Sequence, residues 1–200
     1  MPSRLLPPLA LAALLAAPLA AQTPARPLTD GLRFRTIGPA AVSGRFVDLA
    51  VYEAAPHVFY AASSTGGLWK TTNNGTTFTA LFDDAGTHSI GAIALDQRDT
   101  SVVWVGTGER ANRQSSSWGD GLYRSRDGGR SWQHVGLRGS AHIGRIALHP
   151  TDRNTVFVAA MGQLWAPNEE RGLYRTRDGG ATWERVLHVD ANTGVADVAI

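Results

Sequence analysis

Thr71-Thr72-Asn73-Asn74-Gly75-Thr76-Thr77-Phe78, Ser125-Arg126-Asp127-Gly128-Gly129-Arg130-Ser131-Trp132 and Thr176-Arg177-Asp178-Gly179-Gly180-Ala181-Thr182-Trp183 are three versions of one octet, starting 54 and 51 residues apart. What precedes each octet repeats as well: Gly67-Leu-Trp-Lys70, Gly121-Leu-Tyr-Arg124 and Gly172-Leu-Tyr-Arg175. Further upstream stand Val58-Phe-Tyr-Ala61, Val103-Trp-Val-Gly106 and Val156-Phe-Val-Ala159, and before those Leu49-Ala-Val51, Ile93-Ala-Leu95 and Ile146-Ala-Leu148. Val198-Ala-Ile200 repeats the earliest run a fourth time. Each unit therefore holds four short β-type runs separated by Asn/Asp/Gly clusters, which are turn-forming residues. Four strands in a unit of about 50 residues is the pattern of a β-propeller blade. The body shows no helical apolar period, which excludes solenoids of helix pairs. The expected fold is all-β: three four-stranded blades at about 42–82, 88–137 and 141–188, and the first strand of a fourth beginning at 193.

The octet has a physical rationale of its own. Asp127 and Asp178 are placed where a carboxylate can accept backbone N–H bonds and act as the buried acceptor of a tight turn, and Asn73 does the same job less strongly. Gly75, Gly129 and Gly180 permit positive φ. Phe78, Trp132 and Trp183 are then expected to bury against the blade. The repeated acids are structural in this reading, and catalysis is not expected of them. Three blades leave an open edge, whereas propellers close with about four to eight. The chain is therefore expected to be part of a longer propeller, with the remaining blades as its neighbours.

Composition narrows the chemistry. The 200 residues are 43% hydrophobic and 18% charged with a net charge of +2, which is too apolar and too nearly neutral for a disordered chain. With no Cys there is no disulfide scaffold, thiolate metal site or Cys nucleophile. Eighteen Arg stand against the single Lys70, but they are interleaved with acids and form no basic stripe, so a nucleic-acid partner is not expected. Residues 1–21 combine one Arg, a Leu/Ala run and small residues at the end, the pattern of a secretory signal peptide. Pro7, Pro8 and Pro18 interrupt the run and argue against a membrane span. Residues 22–31 form a short lead-in, and the mature protein is expected outside the cytoplasm, with no membrane span after cleavage.

Propeller geometry sorts the remaining polar residues. Loops entering the first strand of a blade, and loops joining its second and third strands, emerge on one face near the axis; the octets emerge on the other. Aligned on the first-strand triplets, Arg45, Ser89, His142 and Gly194 share one level, with His88 one step before. Two of the joining loops are long and polar, one carrying Glu109, Arg113 and Trp118, the other Trp165, Glu169, Glu170 and Arg171. Tryptophan stacks on apolar faces and Arg forks to carboxylates, so this face suits a peptide or carbohydrate ligand. The candidate ligand-binding residues are Arg45, His88, Glu109, Arg113, Trp118, His142, Trp165 and Glu170. Taken singly, Glu169, Glu170 and Arg171 read as a solvated charge cluster and the tryptophans as packing groups. Long loops on a rigid scaffold nevertheless favour binding for the face as a whole. His88 and His142 lack a placed carboxylate and read as closing hydrogen bonds, so no metal is expected. Neither is a cofactor, since no phosphate loop, nucleophile elbow or zinc-helix motif is present.

The octet resembles the Asp-box, or bacterial neuraminidase (BNR) repeat. From about Gly31 the chain resembles exported bacterial β-propeller proteins of the sortilin/Vps10 N-terminal-like, glycosyl-hydrolase-type BNR family. The likeness is carried by Ile37-Gly-Pro-Ala-Ala-Val-Ser-Gly-Arg45, Val105-Gly-Thr-Gly-Glu109, His142-Ile-Gly-Arg145, Asn168-Glu-Glu-Arg-Gly172 and Asn192-Thr-Gly-Val-Ala-Asp197. It implies a propeller that binds a peptide or glycan outside the cell, with a glycoside hydrolase as the alternative. A photosystem-assembly-type propeller would be a more remote member of the binding class. A sialidase would need an arginine triad, a Tyr/Glu pair and an acid/base Asp; Phe34-Arg35-Thr36-Ile37-Gly38 departs from its Phe-Arg-Ile-Pro motif. A xyloglucanase-like enzyme places two Asp across a cleft between two propellers. In a hydrolase, Glu109 is the acid this chain offers, with Arg45 and Arg113 as substrate-positioning candidates.

Overall fold

The computed structural model describes residues 44–200. The expected signal peptide (1–21), the lead-in (22–31) and the motif residues before Gly44 lie outside the described residues. Twelve strands follow one another: β1 (Phe46–Val51), β2 (Phe59–Ser63), β3 (Gly67–Thr71), β4 (Thr79–Ala80), β5 (Ile90–Leu95), β6 (Val103–Thr107), β7 (Leu122–Ser125), β8 (Gln133–Gly136), β9 (Ile143–Leu148), β10 (Val156–Ala160), β11 (Gly172–Thr176) and β12 (Glu184–Leu187). They pair in order as three antiparallel four-stranded sheets, β1–β4, β5–β8 and β9–β12. The described residues form three blades of an all-β propeller fold, and among them the one helical turn is Arg138–Ser140.

Hairpin length sets the register inside each blade. Seven residues connect the first two strands in every case, 52–58, 96–102 and 149–155. Leu49 therefore faces Ala61, Ile93 faces Val105 and Ile146 faces Val158. This makes Phe59, rather than Val58, the counterpart of Val103 and Val156, a one-residue correction to the alignment of apolar runs. It also puts Tyr60, Trp104 and Phe157 at one position, opposite Lys70, Arg124 and Arg175. Each cation lies over its ring, at 4.9, 5.4 and 6.0 Å from the centroid.

Successive sheets close two cores. Tyr60, Leu68, Phe82, Ile90, Val103 and Val105 fill the space between the first and second sheets; Trp104, Leu122, Val135, Ile143, Val156 and Val158 fill that between the second and third. Full burial of side chains of this kind contributes about 1.5–3 kcal/mol each. The inner strands β1, β5 and β9 lie against one another in sequence. Their approach requires glycine: a Cβ on Gly91 would stand 2.2 Å from Ile143 O. Residues 193–200 continue the pattern without a ladder of their own. Val195 N–H donates to Ala160 O at 3.2 Å, and a Cβ on Gly144 would stand 2.2 Å from Ala196 O.

The second and third octets tie blade to blade, whereas Phe78 of the first, expected to bury, is 38% exposed. Trp132 Nε1–H donates to Leu81 O and Trp183 Nε1–H to Val135 O, both at 2.6 Å, so each indole caps the outer strand of the preceding blade. Val135 is the extra residue of a bulge, because Leu122 pairs with Gly136 while Tyr123 pairs with His134. Such a bulge turns its carbonyl out of the ladder. The cations complete the joint: Lys70 Nζ donates to Gly128 O at 3.5 Å, and Arg124 Nη1 to Gly179 O.

Within each octet the acid side chain organises the turn, as expected, but on a solvent-facing surface. Ser131 donates its hydroxyl to Asp127 Oδ2 at 2.6 Å and its N–H to Oδ1 at 2.9 Å; Ser125 Oγ donates to Oδ1 at 2.7 Å. Thr182 and Thr176 do the same for Asp178. Asn73 reproduces the key bond, accepting Thr77 N–H at 2.9 Å. The expectation of a buried acceptor is thus corrected: Asp178 is exposed and Asp127 half-buried, because the turn projects from the sheet ends above the buried Ser125, Gly129, Thr176, Gly179 and Gly180.

Two outcomes follow from these joints. Trp183→Phe keeps the ring but strands the Val135 carbonyl, and urea unfolding should show a loss of about 1–3 kcal/mol. The hydroxyl and N–H donors of Ser131 and Thr182 hold both Asp carboxyls well below the usual range. A depressed carboxyl stabilises the fold above its unfolded pKa and loses that contribution as pH falls below about 4. An Asp127→Asn/Asp178→Asn variant should therefore lose less of its melting temperature between pH 6 and pH 2.5 than the wild type does.

Candidate functional site

The loops entering β1, β5 and β9 meet the loops leaving β2, β6 and β10 in one repeated bond. Ser64 N–H donates to Arg45 O, Gly108 N–H to Ser89 O and Met161 N–H to His142 O, each at 2.9 Å. Arg45, Ser89 and His142 thus share one level on the face away from the octets. Gly108 has φ +84°, and a Cβ there would stand 1.9 Å from Ala141 O, so this crossing tolerates no side chain.

At this level Glu109 is wholly buried and paired through Oε1 with Arg45 Nη2, whose side chain is 42% exposed. The Glu109 N–H is also occupied, at 3.0 Å from both Ser89 Oγ and Ser117 O. His142, equally buried, has Nδ1 at 2.9 Å from Glu109 O. Since a carbonyl only accepts, Nδ1 carries the proton and Nε2 is a bare acceptor. Burial pushes the His142 pKa down, opposed by its bond to the Glu109 carbonyl and by the Glu109 charge. Among the described residues neither His142 Nε2 nor Glu109 Oε2 has a hydrogen-bond partner.

Around this buried group the other candidates form an exposed rim. Trp118 and Trp165 are 56% and 61% exposed among the described residues. Trp118 is held through its carbonyl, which accepts Thr87 Oγ1 at 3.2 Å. Arg113 is exposed, with its N–H on Ser116 Oγ at 2.9 Å. His88 is exposed and its carbonyl receives Gly67 N–H at 2.9 Å, so it and the buried His142 sit in different environments. Glu170 is exposed beside Gly139, where a Cβ would meet Oε1 at 2.7 Å. Among the described residues no three His, Asp or Glu side chains gather as a metal site.

Two positioning residues escaped the sequence reading. Arg171 is no part of a charge cluster: its guanidinium donates to Met161 O at 2.5 Å, to Ala166 O at 3.1 Å and to Gln163 O, folding the 161–171 loop around itself. Arg110 Nη2 reaches Val47 O at 2.8 Å and fixes the 108–119 loop to the first blade. Both donate to backbone carbonyls, which no charge pairing in the sequence marks. A larger cavity of about 370 Å³ lies at the opposite face, between the second and third sheets. It is lined by Asp96, Arg98, Arg124 and Arg153, and the acids there are already paired.

No family model matches the chain. It is 30% identical over 145 residues, 64% of its length, to a curated xyloglucanase of Hypocrea jecorina (strain QM6a), of which it spans 16%. An ancestral GH74 enzyme superposes on 73% of the chain and 19% of its own, at 19% identity and TM-score 0.55. YCF48 bound to D1 peptide superposes on 74% of the chain and 42% of its own, at 14% identity and TM-score 0.52. At these identities the structural likenesses concern the fold alone, and the same blade scaffold carries different ligands.

His142 gives the site a measurable signature. Its pKa is depressed in the fold, so its contribution to stability is present above the unfolded value near 6.5 and is lost as pH falls below it. Stability measured in urea should decline from pH 7.5 to pH 5, and His142→Gln should flatten that decline.

Proposed function

We propose that the chain forms substrate-facing blades of an exported Asp-box propeller that acts on an extracellular β-glucan of the xyloglucan type. The observation that carries this reading is the pair of exposed indoles, Trp118 and Trp165, on the same face as the Arg45 level. Indole faces stack on the apolar faces of pyranose rings, while rim groups such as Arg113 and Glu170 meet hydroxyls. The sequence likeness to a xyloglucanase supports a glucan over the peptide of a sortilin-like module. The Leu/Ala run of residues 1–21, read as a signal peptide, accords with action outside the cell.

Glu109 serves this reading as a positioning residue rather than as the acid. It has no surface for a substrate to touch, and its charge is committed to Arg45. Hydrolysis of a glycosidic bond uses two carboxyl groups flanking the bond. In this proposal the chain supplies the binding platform for the glucan beside such a pair.

Calorimetry with xyloglucan oligosaccharides tests the proposal. Trp118→Ala and Trp165→Ala should each weaken binding at least fivefold with the melting temperature unchanged, and Glu109→Gln should lower stability more than affinity. Absence of binding to neutral glucans by the folded protein, or affinity untouched by both Trp substitutions, would overturn it.

A further inference from the structure

The cavity between the second and third sheets, on the octet face, holds more positive charge than its own acids neutralise. We propose that it is an anion site, in which Arg124 and Arg126 take the carboxylate or phosphate group of a small ligand. It lies on the face opposite Trp118 and Trp165 and does not rest on the glucan reading.

Two joints of the same chain show how the cavity arises. At the first, Gln97 stitches the hairpins 52–58 and 96–102 together: its Nε2 donates to Val51 O at 2.8 Å and its Oε1 accepts Glu53 N–H at 3.0 Å. At the second joint the same position, two after the inner-strand leucine, is Pro150, whose ring offers neither donor nor acceptor. The hairpins 96–102 and 149–155 are bridged instead by Arg153, which lies 3.8 Å from Asp96, 3.6 Å from Asp99 and 3.3 Å from Arg98 O. About 370 Å³ is left between them, a volume in the range of small-molecule sites.

Four arginines, Arg98, Arg124, Arg126 and Arg153, line this space against Asp96, Asp99 and Asp152. Arg98 and Arg153 are committed to the first two acids, with Arg98 Nε 3.0 Å from Asp96 Oδ1. Asp152 closes its own turn, accepting Asn154 N–H at 2.9 Å and the Thr155 hydroxyl at 2.6 Å. Arg124 and Arg126 have no carboxylate partner. Arg124 donates to two neutral oxygens, Gly179 O and, at 3.4 Å, Gln133 Oε1, and its buried Nε has no partner among the described residues. Arg126 is exposed and makes no hydrogen bond or ion pair among them. The third blade supplies the contrast. Arg175, the counterpart of Arg124, stands opposite Glu184 where Arg124 stands opposite Gln133, and its Nη2 holds Glu184 Oε2 at 2.7 Å. Burial and, after it, the Arg126 charge push the Arg124 pKa down, as a cation without a counter-charge requires. An oxyanion supplies that charge, in the geometry that guanidinium groups bind best.

Titration calorimetry of the full chain at constant ionic strength tests the site, with sodium glucuronate and inorganic phosphate as probes and glucose as the neutral control. At least one anion should bind saturably and glucose should not; the tighter anion identifies the group as carboxylate or phosphate. Arg126→Gln removes a charge-assisted contact and should weaken binding about tenfold or more. Gln133→Glu sets a carboxylate on Arg124, as Glu184 is set on Arg175, and should weaken binding as much without lowering the melting temperature. Trp118→Ala should leave anion affinity unchanged, which separates this site from the glucan platform. Three results would overturn the proposal: no binding of either anion by the folded protein, an affinity untouched by both cavity variants, or anion binding lost with Trp118→Ala.

Discussion

A propeller blade is a sheet with two apolar faces and cannot be stable alone, so everything here depends on how one blade is fastened to the next. The fastening is the indole N–H of the octet tryptophan on a backbone carbonyl of the preceding blade, that of Leu81 or of the bulged Val135. Hydrophobic contact between sheets is strong but non-directional. A single buried bond to a carbonyl turned out of its ladder fixes distance and angle together. The lysine or arginine above the neighbouring ring adds a second point of attachment, and the octet glycines let the turn approach without a clash.

Rigid joints on one face leave the opposite face free to vary. The loops entering each blade and those after its second strand are locked at one level by a repeated backbone bond, and beyond that level they differ in length and chemistry. Buried polarity at the centre and exposed aromatic surface at the rim are separate consequences of this arrangement. Glu109 and His142 hold the loops together from beneath; Trp118 and Trp165 stand in solvent where a ligand can reach them. Glu109, an acid by type, is here buried and paired with Arg45.

The third blade carries the same groups as the second. Its bulge, its stacked arginine and its apolar surface are formed by its own sequence, without needing the neighbour to shape them. The first octet carries Phe78 and Asn74 where the others have Trp and Gly, and Phe78 meets Phe59 of its own blade edge-on.

By itself the sequence determined the blade: octets in phase with apolar runs specify strand number, turn chemistry and the separation of the two faces, because each of these is local to about 50 residues. It also located the candidate loops. It did not decide which polar residues face solvent. Glu109 and Trp118 belong to one loop, yet one is buried and the other open, because Arg45 and Ser89 arrive from elsewhere in the chain. Arg171 read as a surface charge because its partners are backbone carbonyls, which carry no sequence signal. Even the alignment of Val58 was one residue off until the seven-residue hairpins fixed the register. Contacts between distant segments, and the carbonyls they expose, are properties of the assembled sheets, so only the tertiary structure could assign them.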